Sequence, residues 1–488
     1  MRSHCVLSIQ SAKCLVWFCV LTLAASSIGQ AQEERYELGK RLRRFELAWQ
    51  VADRDGRVRC VAPMQEAVQS FFGLRLSAAA KELDQAFFVV RSAAPPSDFE
   101  RYAISRRLNF GPSVVEASQR SLKFKLQPFY KVDQPPPANA QVHVEFCSAD
   151  GTQVTEADFS LDALKQEVEC DISQLSEGDF SITATATSDS EKIPFAQATL
   201  TKVRDIHSRL EKVEELLKQR NSNESSVIKS TDLLTCKQIV RTLKSQVDGQ
   251  IQEIDYPALR LLKMCEALLV EEVDSVKLFR QQTQQDDVWM TLSDTKKQVA
   301  VRVRCPQNIT KPMPVLFALH GAGGSENMFF ETYGAGRIVD LATQRGWMVV
   351  APRQGLLGLN LSCRGMLDVL SQYYEVDPKQ VYLVGHSMGA AQVMRQVAID
   401  AELPKAAVAI GGGGRMADAE KYTGFPWLVA AGESDFGRGG ARALADSLKR
   451  ASAKVRYSEY PEVEHMVIVQ AALDEVFKFL DEASGHSR

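Results

Sequence analysis

From about Asp287 to the end, short apolar runs alternate with helical stretches, and that alternation leaves few folds open to the chain. The runs lie at 299–303, 315–319, 347–351, 381–385, 406–410, 427–431 and 455–460. Strands joined by crossover helices run parallel, and a parallel sheet is covered on both faces. Its strands therefore read as near-continuous apolar stretches, as several of these do. A mostly parallel sheet flanked by helices is expected over 287–484.

Gly385-His386-Ser387-Met388-Gly389 fits G-x-S-x-G where the 381–385 run meets an Ala- and Met-rich helical stretch. The pentapeptide alone is a weak signal, and its strand-to-helix setting gives it weight. A serine held on such a turn adopts strained dihedrals among close neighbours. Gly385 and Gly389 lack the Cβ atoms that would clash there. The N-terminus of the following helix also favours negative charge developing near Ser387.

A serine hydroxyl is a poor nucleophile until a base takes its proton, and histidine has a suitable pKa. After Ser387 the chain offers His465 and His486. His486 stands in a Ser/Gly-rich tail, whereas His465 follows the 455–460 run and precedes an apolar helical stretch. His465 is thus the expected base. Where a serine elbow opens a helix in this way, the partners follow in the order acid, then histidine. The acid then belongs in Gly432-Glu433-Ser434-Asp435, after the 427–431 run. Asp435 is favoured because it lies further along the loop, with Glu433 as the alternative. Asp418 and Asp446 read as surface residues.

Charge developing on a carbonyl oxygen needs aimed donors. One is expected from the backbone N–H of Met388. The other belongs to His320-Gly321-Ala322-Gly323-Gly324, where Ala322 is the first choice and Gly321 the next. His320 and His386 are read as structural neighbours of the loops that carry the chemistry.

These motifs give the segment from about Pro314 to Ala483 its likeness to a known family. It resembles the α/β-hydrolase superfamily. In style it is similar to the polyhydroxybutyrate-depolymerase-like, phospholipase/carboxylesterase and prolyl-oligopeptidase-type branches. The stretch from Val376 to Gly385 resembles the strand entering the nucleophile in those branches, and 320–324 the H-G-G-G-type loop of esterases and lipases. The resemblance implies a serine hydrolase forming an acyl-enzyme at Ser387, most simply a carboxylic-ester hydrolase. A serine peptidase of the prolyl-oligopeptidase type is the alternative, weakened by the lack of propeller repeats upstream. About 48 residues separate Ser387 from Asp435, too few for a large lid. The pocket is then open or covered by the N-terminal segments, and Gly411 to Gly414 form a mobile or closely approached loop beside it.

Upstream no family is recognised, and pattern alone defines a multidomain chain. Residues 1–31 read as a signal peptide. Arg2 and Lys13 precede an apolar run from Cys14 to about Ile28, and Gly29 and Ala31 stand at −3 and −1 of a cut before Gln32. The run is shorter than the roughly 20 residues of a comfortable membrane span. A secreted or periplasmic protein is expected, with an uncleaved anchor as the alternative. Residues 32–95 read as helical, 118–203 as a small immunoglobulin-like β-sandwich, and 204–282 as a helical hairpin. Seven cysteines follow the leader. Cys147 with Cys170, and Cys236 with Cys265, are either disulfides or buried thiols. Asn223, Asn308 and Asn360 begin sequons. No metal-ligand spacing or cofactor motif stands out. A formal net charge of −3 gives no reason to expect nucleic acid. The expected partner is a small or polymeric ester, and oligomeric state is open.

Overall fold

The computed structural model describes residues 28–485 except 190, 221–225, 295, 308–311, 356–357 and 417. Most of the expected leader, Asn223, Asn308 and His486 lie outside the described residues. No helix among the described residues is long and apolar enough to cross a membrane.

The first helix, Ile28–Val51, presents Leu38, Leu42, Phe45 and Trp49 on one buried face. Asp53 caps the short helix Arg54–Arg59 by accepting from the Gly56 N–H at 2.7 Å. Helices Val61–Phe72 and Leu76–Arg91 follow. Beyond the expected helical segment 32–95 comes a further helix, Asp98–Ile104. Its signal was present in Ser97-x-x-Glu100, where the Ser97 hydroxyl accepts from the Glu100 N–H at 2.9 Å.

The strand-rich part begins at Arg106, ahead of the expected 118. Its strands are β1 (Arg106–Phe110), β2 (Val114–Glu116), β3 (Ser121–Pro128), β4 (Gln141–Ser148), β5 (Gln153–Ser160), β6 (Val168–Asp171), β7 (Gly178–Thr187) and β8 (Lys192–Val203). The sequence hides β1 because every one of its residues is half-buried, which gives no alternation. One sheet has the order β2-β8-β7-β4-β5 and the other β1-β3-β6. Val144, Phe146 and Ile182 of the first share a core with Leu122, Phe124 and Cys170 of the second.

The expected hairpin is instead four helices among the described residues: Ile206–Gln219, Val227–Val247, Ala258–Leu269 and Ser275–Gln285. Gly249 at φ 78° and Glu272 at φ 53° mark two of the breaks, and Pro257 starts the third helix. All seven cysteines are free thiols. Cys236 and Cys265 are buried in mutual contact, whereas Cys147 and Cys170 sit on different sheets.

The last segment builds β9 (Val288–Ser293), β10 (Gln298–Arg304), β11 (Met313–Leu319), β12 (Met348–Pro352), β13 (Val376–His386), β14 (Ala406–Ile410), β15 (Pro426–Gly432) and β16 (Lys454–Tyr460). Their order is β16-β15-β14-β13-β11-β12-β10-β9. All pairings from β12 through β16 are parallel, and β9 and β10 add an antiparallel edge. The expected sheet is therefore present, with β9 as an extra strand. Residues far upstream complete its two covering layers. Leu316, Val384 and Val408 share a core with Phe45 and Met64 of the first helices and with the last helix, Ile468–Ser484. Phe317, Leu383 and Trp427, on the opposite face, pack with Leu210, Leu243, Leu262 and Phe279 from the four-helix stretch. Each large side chain buried in this way contributes on the order of 1.5–3 kcal/mol.

Candidate active site

The strand order reverses at β11: the chain goes from β11 to β12 on one side, then places β13 on the other. A crevice outside the carboxyl ends of the strands forms at such a point. The loop after β11 carries His320 to Gly324, and the turn after β13 carries Ser387. Asp435 follows β15 and His465 follows β16.

Ser387 has φ 56° and ψ −116°, a backbone conformation that costs a non-glycine residue about 1–3 kcal/mol. Its N–H donates to the Ile410 carbonyl at 2.8 Å, which fixes the turn against β14. A Cβ at Gly389 would collide with the Leu319 carbonyl, so close approach of the backbones requires glycine there. The tetraglycine run is likewise tightly approached. A Cβ at Gly412 would lie 2.5 Å from the Ser387 carbonyl oxygen.

His465 Nε2 lies 3.0 Å from Ser387 Oγ, and His465 Nδ1 lies 2.7 Å from Asp435 Oδ1. Histidine and aspartate are 3% and 5% exposed, so water barely competes for these contacts. Asp435 Oδ1 also accepts from the Gly437 N–H at 2.6 Å, which turns the carboxylate inward. Glu433 is exposed and accepts from the Glu462 N–H at 3.4 Å, away from the imidazole. The structure brings Ser387, Asp435 and His465 together and leaves Glu433 out.

Tyr333 was not singled out in the sequence, yet it ties the loops to one another. Its hydroxyl accepts from the Gly321 N–H at 3.3 Å and donates to His386 Nδ1 at 2.8 Å. His386 Nε2 then donates to the His465 carbonyl at 2.8 Å. Burial first, and His465 next, hold the His386 pKa well below the usual histidine range, so its ring is neutral and works as a spacer. Because Gly321 spends its N–H on Tyr333, it does not serve as a free donor. Ala322 and Met388 are left, the latter being the first residue of its helix and without an intrahelical acceptor. His320 donates from Nδ1 to the Gly321 carbonyl (2.7 Å) and accepts at Nε2 from the Gln354 N–H (3.1 Å). Burial pushes its pKa down to about 4, as suits a neutral loop-holding residue.

A cleft opens at Ser387 and His465 and is walled by helices from the far end of the chain. Leu38 and Leu42 come from the first helix, Met64 and Val68 from the third, and Ala79 and Leu83 from the fourth. The site is therefore covered by the N-terminal helices. Gln65 Nε2 fastens them to the Asp435 loop by donating to the Ser434 carbonyl at 3.0 Å. Arg43 donates to the Glu331 carbonyl at 2.8 Å. The lack of room for a lid left covering by the N-terminal segments as one of two expectations, but nothing periodic marks which residues dock. On the solvent side Phe436, 65% exposed, lays its ring 3.9 Å from the His465 ring.

Strand order and the crevice at the strand ends define the class: the C-terminal domain has the α/β-hydrolase fold. Residues 315–482 match the family model described as Alpha/beta hydrolase family. Solved structures similar to this chain include an S-formylglutathione hydrolase from Agrobacterium tumefaciens, at 18% identity over 40% of this chain and 95% of that one, with a TM-score of 0.33. A ferulic acid esterase is similar at 17% identity over 41% and 98%, with a TM-score of 0.35. A bacterial heroin esterase is similar at 15% identity over 43% and 90%, with a TM-score of 0.33. No curated protein matches the sequence.

Proposed function

We propose that the chain is an exported carboxylic-ester hydrolase with Ser387 as nucleophile, His465 as base and Asp435 as the acid that orients it. The observation that carries this reading is the path from Ser387 Oγ through both ring nitrogens of His465 to Asp435 Oδ1. With the Nδ1 proton on the Asp435 side, Nε2 keeps a lone pair aimed at the hydroxyl. As Oγ attacks the ester carbonyl carbon, His465 takes its proton and the carbonyl electron pair moves onto oxygen. The N–H groups of Ala322 and Met388 stabilise that oxyanion. Its collapse breaks the bond to the alcohol oxygen, which leaves with the proton from Nε2. Water then attacks the acyl-enzyme, giving its proton to His465, and the acid departs as Oγ recovers its hydrogen. Asp435 orients the ring and stabilises the imidazolium in both halves.

Export rests on the leader-like composition of residues 1–31. A fluorophosphonate probe tests the chemistry. It labels the wild type, and Ser387→Ala abolishes labelling while lowering kcat/KM on p-nitrophenyl acetate by at least about 10⁴-fold. Equal labelling of Ser387→Ala would sink the assignment. Faster turnover of an anilide than of the matching ester would favour the peptidase alternative.

A further inference from the structure

We propose that the N-terminal helices build the acyl pocket of this enzyme, and that its substrates are esters of apolar aliphatic acids longer than acetate. The proposal rests on the ester-hydrolase reading and names the substrate class for the same site. Leu38, Met64 and Ala79 are 6%, 0% and 1% exposed, yet each faces the cleft that opens at Ser387. Their hydrocarbon surface is hidden from bulk water and is presented to the space beside the nucleophile.

Two polar side chains of the cleft wall are already engaged. Glu331 accepts from Arg302 at 2.8 Å, and Asn327 donates to Glu253 at 2.7 Å while accepting from the Trp289 indole at 2.9 Å. A hydroxyl-rich acyl group beside them would lose water and find both already paired, a cost of several kcal/mol in general. An alkyl chain loses nothing of that kind.

The proposal also assigns which side of the ester enters. It puts the carbonyl oxygen at the Ala322 and Met388 amides and the acyl substituent along the 321–324 loop. That loop runs under the helices: a Cβ at Gly323 would lie 3.5 Å from the Phe71 ring. The alcohol must leave past His465 Nε2, beneath the exposed Phe436. Ala67 and Ala79, both buried and both on the cleft wall, are small side chains that narrow it least.

The test uses the full chain and two substrate arms. One is a set of p-nitrophenyl esters from acetate through butyrate and octanoate to laurate, and the other a set of acetates of matching alcohols. In the wild type kcat/KM rises with acyl length, roughly fourfold per added methylene until the pocket is full. In Ala67→Phe the octanoate-to-acetate ratio falls by about tenfold or more, and in Leu42→Ala the optimum moves to a longer acid. Leu42→Ala and the wild-type arms stand on their own if Ala67→Phe fails to fold. A wild type that prefers acetate, ratios unmoved in the folded variants, or length dependence confined to the alcohol arm would each overturn the proposal. No turnover of any ester, with Ser387 still labelled by the probe, would instead remove the ester reading, and the pocket assignment with it.

Discussion

His143 and His465 both stand against carboxylates, and the contrast between their surroundings shows what turns such a cluster into a site. His143 lies on the half-buried face of β4, its Nδ1 2.9 Å from Asp158 and its Nε2 3.2 Å from Glu145. The hydrogen bond with Asp158 is the first cause of its raised pKa. With a carboxylate on each nitrogen the imidazolium is favoured, and no lone pair is left to accept a proton. His465 has a carboxylate on one nitrogen and a serine hydroxyl on the other. The first arrangement follows from strand register alone, since His143 stands directly opposite Asp158. The second needs loops from β13, β15 and β16 to converge. The two regions also differ in core: the sheets of 106–203 share one largely of their own, whereas the catalytic sheet borrows its covering helices from upstream.

The strongest way to break this contrast is to neutralise each carboxylate in turn. Asp435→Asn is expected to lower kcat by about 10⁴-fold, by presenting the wrong tautomer. Asp158→Asn leaves kcat/KM within about twofold, because its partner histidine has no reaction to serve. Next comes the separateness of the cores. Phe146→Ala removes a fully buried ring and costs about 3–5 kcal/mol in denaturant melts of the strand-rich part, while the folded fraction keeps its kcat/KM. A matching fall in kcat/KM would show that the strands support the site directly. Tyr333→Phe takes away the hydroxyl shared by Gly321 and His386. It is expected to reduce kcat about tenfold, in line with about 1–3 kcal/mol for an unpaired buried polar group, with KM little changed.

The smallest effect belongs to His143→Ala. The folded pKa of His143 is raised, so its stabilisation is present in full below the unfolded value of about 6.5 and is lost as pH rises through the folded one. The variant should cost under about 1 kcal/mol in acid and less in alkali, as read from urea melts at several pH values. An equal cost throughout would dismiss the ion pairs.

The sheet was legible because strands buried on both faces announce themselves as apolar runs; β14 coincides with the expected 406–410. The edge strand β9 was not, since Trp289 breaks the alternation of its Val288, Met290 and Leu292 and leaves only a short regular stretch. Ser387 and His465 could be chosen from motif and elimination. Asp435 and Glu433 shared a loop, and only the inward turn toward the Gly437 N–H separates them. Tyr333 and the cleft wall of Leu38 and Met64 had no local signature, because their meaning lies in contacts made across hundreds of residues.

The shared core of Phe45 with Val384 and Leu480 also sets a schedule for the molecule. Loop closure over so long a span grows only slowly more costly in entropy, but the contact cannot form before both ends exist. At synthesis rates of about 5–20 residues per second, the first helices wait roughly 20 seconds or more for the last helix to emerge. Through that interval the wall of the cleft is bare hydrocarbon, the kind of surface that chaperones hold and proteases find. The wall that lines the cleft in the finished protein is thus among its earliest liabilities in time.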